Sequence, residues 1–171
     1  MNKTSTELFS FEAFVSTEQA LEMAKTAGFD CYNYDLCHIC DFDFQTNKAI
    51  KKDHPLATNK YKKYVLHIKE VADKLGIECN QTHAPFPIDN KKILRSQKKA
   101  IIATKLLGAK IMVIHTDSFK SIDKNAIILR KIGLLCAKYD IKLAIEKKFK
   151  DTVSEKKHQG DVARVAGIYY L

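Results

Sequence analysis

The sequence predicts an α/β fold, a parallel sheet covered by helices, and three observations predict it. Short, near-continuous apolar runs such as Lys110-Ile111-Met112-Val113-Ile114-His115 alternate with longer amphipathic stretches. Parallel strands buried on both faces read as such runs, whereas helices repeat every three to four residues. Glycines stop successive helices, and Gly76 and Gly108 stand 32 residues apart, close to the length of one βα unit. Finally, several strands end on polar, chemically competent side chains, as a (β/α) barrel of the TIM type requires. An open doubly wound sheet would call for a glycine-rich phosphate loop after an early strand, and neither GxGxxG nor a P-loop pattern occurs.

The elements follow in order. Thr4 to Phe11 has room for a first strand. A helix is expected from Ser16-Thr17-Glu18 to Gly28, with Ser16 or Thr17 capping its open N–H groups and Ala20, Ala24 and Ala27 forming a small-residue stripe. Phe29 to Leu36 is the next strand, followed by a polar loop. Asn59 to Leu75 places Tyr61, Tyr64, Val65, Ile68, Val71, Ala72 and Leu75 on one helical face, and Gly76 stops it before the strand Ile77 to His83. Asn90 to Leu107 is a helix with Gly108 as its stop, and Lys110 to His115 a strand. Asp123 to Tyr139 is a helix with Ile128, Ile132, Leu135 and Cys136 inward, and Ile141 to Glu146 is the last strand. That makes about five βα units, an incomplete barrel over residues 1–149. Residues 150–171 form a basic C-terminal tail, in which Asp161 to Leu171 is expected to form a short helix.

Composition bounds the function. The chain has 171 residues, 46% hydrophobic and 29% charged, with a formal net charge of +9. One domain with a real core is expected, and a disordered chain is excluded. No apolar stretch approaches the roughly 20 residues that a membrane-spanning helix needs. The start, Met1 to Glu7, lacks the apolar run of a signal peptide, so a cytoplasmic protein is expected. Cys31, Cys37, Cys40, Cys79 and Cys136 are odd in number and irregular in spacing, which excludes a secreted disulfide framework. Cys37-His38-Ile39-Cys40 is formally a CxxC, but no second pair follows to complete a zinc ribbon. No helix is expected after it, as a redox motif would need, and the cysteines read as part of a βα loop. Among the 29 basic residues only Arg95, Arg130 and Arg164 are arginine. Phosphate and base recognition favours the bidentate guanidinium, so the lysines read as a solvated surface and a nucleic-acid partner is not expected.

The chemistry collects at three strand ends. His83, His115 and Glu146 close three consecutive strands. Side chains alternate along a strand, so Cys79, Gln81 and His83 should share a face, as should Ile111, Val113 and His115, and Ala144 and Glu146. Two imidazoles and a carboxylate converging there can bind Zn²⁺ or Mn²⁺, or hold a polyol and move its protons. A single histidine ending a strand is often structural, and a single glutamate is often a salt-bridge partner, here with Lys147 adjacent. Three such ends on neighbouring strands point instead to a shared site. His38, His54, His67 and His158 lie in loops, in a helix or in the tail and are expected to be exposed to solvent.

At these residues the sequence resembles a known family. Asn80-Gln81-Thr82-His83-Ala84-Pro85-Phe86-Pro87, then Leu107-Gly108-Ala109-Lys110 with Val113-Ile114-His115, then Leu143-Ala144-Ile145-Glu146, look like the xylose isomerase-like TIM barrels. That superfamily holds sugar phosphate isomerases and epimerases and the apurinic endonucleases of the endonuclease IV type. The resemblance implies that Glu146 is a divalent-metal ligand and acid/base. It implies that His83 and His115 bind metal, as in the nuclease branch, or line the substrate pocket, as in the sugar branch. The metal would be Mn²⁺, Mg²⁺ or Zn²⁺. The pattern departs in two places. Lys147 and Lys148 follow the glutamate where relatives have Asn, and the family's remaining ligands (an Asp, a His and a second Glu) have no counterpart.

Three functions are therefore expected. The first is a metal-assisted sugar or sugar phosphate isomerase or epimerase working through an enediolate, with Glu146, His83 and His115 as its residues. The second is an apurinic endonuclease-like DNA-repair nuclease, and the third a catalytically inactive, self-associating fragment. An unclosed barrel exposes a sheet edge, so a homo-oligomer is expected.

Overall fold

Ser16 opens the first long helix with a capping box. Its hydroxyl accepts from Gln19 N, and Gln19 Oε1 accepts from Ser16 N. The computed structural model in which this is seen describes residues 3–43, 45–46, 48–50, 53–88, 90–116, 121–146 and 169–170. Its elements are β1 (Ser5–Glu7), α1 (Phe9–Glu12), α2 (Thr17–Thr26), β2 (Cys31–Asp35), β3 (Asp41–Asp43), β4 (Lys48–Ile50), α3 (Tyr61–Leu75), β5 (Glu78–His83), α4 (Lys91–Leu107), β6 (Ile111–Ile114), α5 (Ile122–Ala137), β7 (Lys142–Ile145) and β8 (Tyr169–Tyr170). Asn90 caps α4 through Lys92 N and Ile93 N, and Ser121 caps α5 through Lys124 N. Gly76 and Gly108 end α3 and α4 at φ 65° and 84°, a left-handed turn that costs glycine no Cβ clash.

Strand order settles the architecture. The main sheet runs β1-β2-β5-β6-β7-β8, every neighbouring pair parallel. Chain order and sheet order coincide, with no switch point. The helices pack in sequence, α2 on α3, α3 on α4 and α4 on α5, on one face of the sheet. A doubly wound sheet would reverse direction and carry helices on both faces. Unidirectional winding on one side is barrel geometry.

The core lies between the helices and the sheet. Tyr32, Tyr34, Met112, Ile114, Leu143 and Ile145 project from the strands, and Leu21, Ile68, Ile101 and Leu129 meet them from α2, α3, α4 and α5. Each such Leu or Ile contributes roughly 1.5–3 kcal/mol by leaving water. The predicted face of α3 is the buried one, with Val65, Ile68 and Ala72 fully inside. In α2, Ala20, Leu21 and Ala24 are buried, while Ala27 sits at the exposed C-cap outside the stripe.

The structure departs from the sequence reading in four further places. Tyr32 pairs with Cys79 but Asn33 with Gln81, so a bulge at Asn80 shifts the register. Cys79 therefore turns to the helix side with Tyr32 and does not share a face with Gln81 and His83. Alternation fails there because one strand carries an extra residue. The polar loop after β2 contains an antiparallel hairpin, β3–β4, pairing Asp41 with Ile50 and Asp43 with Lys48. Its three-residue strands are too short to show a period. His38 and His54 are half-buried and stack at 4.6 Å between ring centroids, and His54 also meets the Tyr64 ring edge-on at 5.3 Å. Only tertiary packing brings these loop histidines together, whereas His67 is exposed as expected. Lastly, Tyr169 and Tyr170 pair with Ala144 and Ile145 as a sixth parallel strand. The remainder of the tail, His158 included, lies outside the described residues.

Candidate metal centre

The site is built from the carboxyl ends of β5, β6 and β7. Gln81 pairs with Ile111, and His83 with Val113, which pairs in turn with Ala144. Val113 and Ala144 thus share the inner face, away from the helices, with His83. Two residues further on, His115 and Glu146 emerge on the same face, each one step past the end of its strand. Backbone bonds hold these ends level: Ala84 N donates to Val113 O at 2.8 Å and Glu146 N to Ile114 O at 3.3 Å.

Three ligand-type atoms converge. His115 Nε2 lies 3.4 Å and His83 Nδ1 3.7 Å from Glu146 Oε2, and one ligand atom from each residue falls within 4.8 Å of the others. This is the one such cluster among the described residues. The imidazole rings meet edge to face at 5.8 Å. The side chains of His83 and His115 are 19% and 13% exposed and that of Glu146 40%. The imidazoles are thus held by packing while the carboxylate opens to solvent. Two imidazoles with one carboxylate are a donor set that suits Zn²⁺ or Mn²⁺.

Residues to which the sequence assigned no role in the site hold this arrangement. Phe86 packs edge-on against the His115 ring at 5.0 Å. The loop carrying Phe86 is tied down by Gln97, which is buried in α4 and donates from Nε2 to Pro85 O at 2.7 Å. A glutamine on the apolar face of a helix was the available signal. On β2, Asp35 pairs with His83 and accepts from Cys37 N at 2.6 Å, which extends the polar inner face away from the His83–His115–Glu146 cluster. Cys37 and Cys40 are not joined in a disulfide and stand in and just after the turn Cys37–Ile39. Lys147 and Lys148 lie outside the described residues.

Solved structures share this fold. The chain is similar to a xylose isomerase domain containing protein from Salmonella typhimurium (TM-score 0.68, 14% identity, 99% of this chain and 60% of that one). It is similar to 3-keto-D-glucoside 4-epimerase from E. coli (TM-score 0.61, 11% identity, 99% and 66%). It also resembles D-psicose 3-epimerase in the presence of D-fructose (TM-score 0.59, 14% identity, 94% and 60%). No protein-family model matches the sequence, and no curated protein matches it. The fold is that of the xylose isomerase-like TIM barrels. The chain spans about 60% of the length of the solved structures it resembles.

Proposed function

We propose that this chain carries the metal-binding half of a sugar isomerase or epimerase site, acting by proton transfer at a carbon beside a carbonyl. The observation that carries the reading is the approach of His83 and His115 to one oxygen of Glu146, at the ends of three adjacent parallel strands. A divalent cation held by these three residues would supply Lewis acidity to the substrate carbonyl and its neighbouring hydroxyl. Both imidazoles face Oε2, so Oε1 is the oxygen that takes the proton from the substrate carbon and returns it to the adjacent one in an isomerisation; in an epimerisation a second donor on the opposite face of the carbon returns the proton. His83 and His115 fix the carboxylate and orient substrate hydroxyls. The similarity to solved sugar epimerases supports the substrate class.

The test is metal uptake and solvent proton exchange in parallel. The protein should bind Mn²⁺ and catalyse exchange of the hydrogen beside the carbonyl of a ketohexose in D₂O, followed by NMR. Glu146→Gln should lose both. If the variant binds Mn²⁺ and exchanges the hydrogen as the wild type does, Glu146 has no such role. In the nuclease reading the protein is retained on duplex DNA at low salt and released as salt rises. The exposed edge of β1, which pairs only with β2 among the described residues, is the surface proposed for self-association, and sedimentation velocity checks it.

A further inference from the structure

The inner face carries a second set of polar groups that the metal centre does not use. Glu7 on β1 pairs with Asn33 on β2, and Asn33 with Gln81 on β5. Ser5 Oγ donates to Asn80 Oδ1 at 3.2 Å across β2, which places the odd-numbered residues of β1 on the inner face. Glu7, Asn33 and Gln81 thus form one row, and Asp35 and His83 the next row toward the metal ligands. Asn33 is only 9% exposed, and its Oδ1 is buried without a hydrogen-bond partner. Glu7 Oε1 is likewise buried without a partner, although Glu7 Oε2 accepts from Ser10 N and Ser10 Oγ. A buried acceptor left unsatisfied costs roughly 1–3 kcal/mol. Two of them side by side on one face favour a ligand that brings donors.

We propose that Asn33 and Glu7 form a hydroxyl-binding subsite for the far end of an open-chain polyhydroxy substrate whose carbonyl end lies at His83, His115 and Glu146. The assignment rests on the sugar-processing reading of that centre. Both free atoms are acceptors, and a hydroxyl donates to such an atom while its own oxygen stays available to a neighbour. Strand spacing and rise put Asn33 about 8 Å from His83 along the diagonal of the sheet. A five-carbon polyol anchored beside His83 extends further toward that row than a three-carbon one does. Asn33 and Glu7 would thus select substrate length. They act by positioning and take no part in the proton transfer.

The test compares glycerol with xylitol on the whole protein by titration calorimetry, with and without Mn²⁺, after a titration with Mn²⁺ alone. Wild type should bind xylitol at least tenfold more tightly than glycerol. Asn33→Leu should lose that preference while keeping wild-type Mn²⁺ affinity, since Asn33 is not among the metal ligands. Asn33→Ala carries the same comparison if the leucine variant does not fold. A preference that survives the substitution overturns the subsite, as does a wild type with no preference. Absence of Mn²⁺ uptake by the wild type overturns the metal reading instead. The metal-free titrations then still decide the subsite, by whether the xylitol preference depends on Asn33.

Discussion

His115 Nε2 sits 3.4 Å from Glu146 Oε2, although 31 positions of chain separate the two residues. The contact exists because β6 and β7 are parallel neighbours in register, Ile114 opposite Ile145. Metal should therefore stabilise the fold measurably. At a hundred times the dissociation constant, Mn²⁺ is expected to add about 2.7 kcal/mol. His115→Ala and His83→Ala should each abolish most of that gain in a thermal melt. Imidazoles ligate metal only when unprotonated, so the gain should fall as the medium is acidified.

Gln97 should matter without touching the site. Replacing it by Leu leaves Pro85 O without its donor and frees the loop that carries Phe86. A loss of about 1–3 kcal/mol is expected in urea denaturation.

Thr82 on β5 and Thr104 on α4 share a buried hydrogen bond of 2.7 Å, and Thr104 Oγ1 donates onward to Ala100 O at 2.9 Å. Thr104→Val should cost about 1–3 kcal/mol by stranding the Thr82 hydroxyl. The double variant Thr82→Val with Thr104→Val should recover most of the loss, because two isosteric apolar groups then face each other. A double-mutant cycle reads the coupling.

Glu12 is held above its ordinary value of 4.5, first because it is buried and then because Asp35, Glu7 and Glu18 are near, although Thr17 opposes the shift by donating to it at 2.6 Å. A raised folded pKa means that the fold takes up the proton more readily than the unfolded chain does. Stability from this group is thus fully present below pH 4.5 and is lost as pH rises through the folded value. Glu12→Gln should raise the melting temperature at pH 7, and the difference should vanish below pH 4.5.

Gly108 and Gly28 both have positive φ, 84° and 89°. A Cβ at Gly108 would meet Lys69 Cε at 3.3 Å, while at Gly28 nothing lies within 4 Å. Gly28→Ala should cost about 1–2 kcal/mol from backbone strain alone. Gly108→Ala should cost that or slightly more, since the lysine tip can move aside. Chemical denaturation of the two variants gives the comparison.

The amino-acid sequence by itself determined the succession of helices and strands, their glycine and Ser/Asn boundaries, and the three strand ends that carry His83, His115 and Glu146. Those features are local: a helical period, a cap and an apolar run each declare themselves within a dozen residues. Tertiary structure alone decided the rest. It set the strand order that brings the three ends together, and the bulge at Asn80 that turns Cys79 away from Gln81. It stacked His38 on His54, set Gln97 under the Phe86 loop, and buried Asn33 beside Glu7 on the inner face. Each of these depends on which residue of one strand or helix lies opposite which residue of another. That choice is made by the packing energy of the whole sheet against its helices, and no single segment contains it.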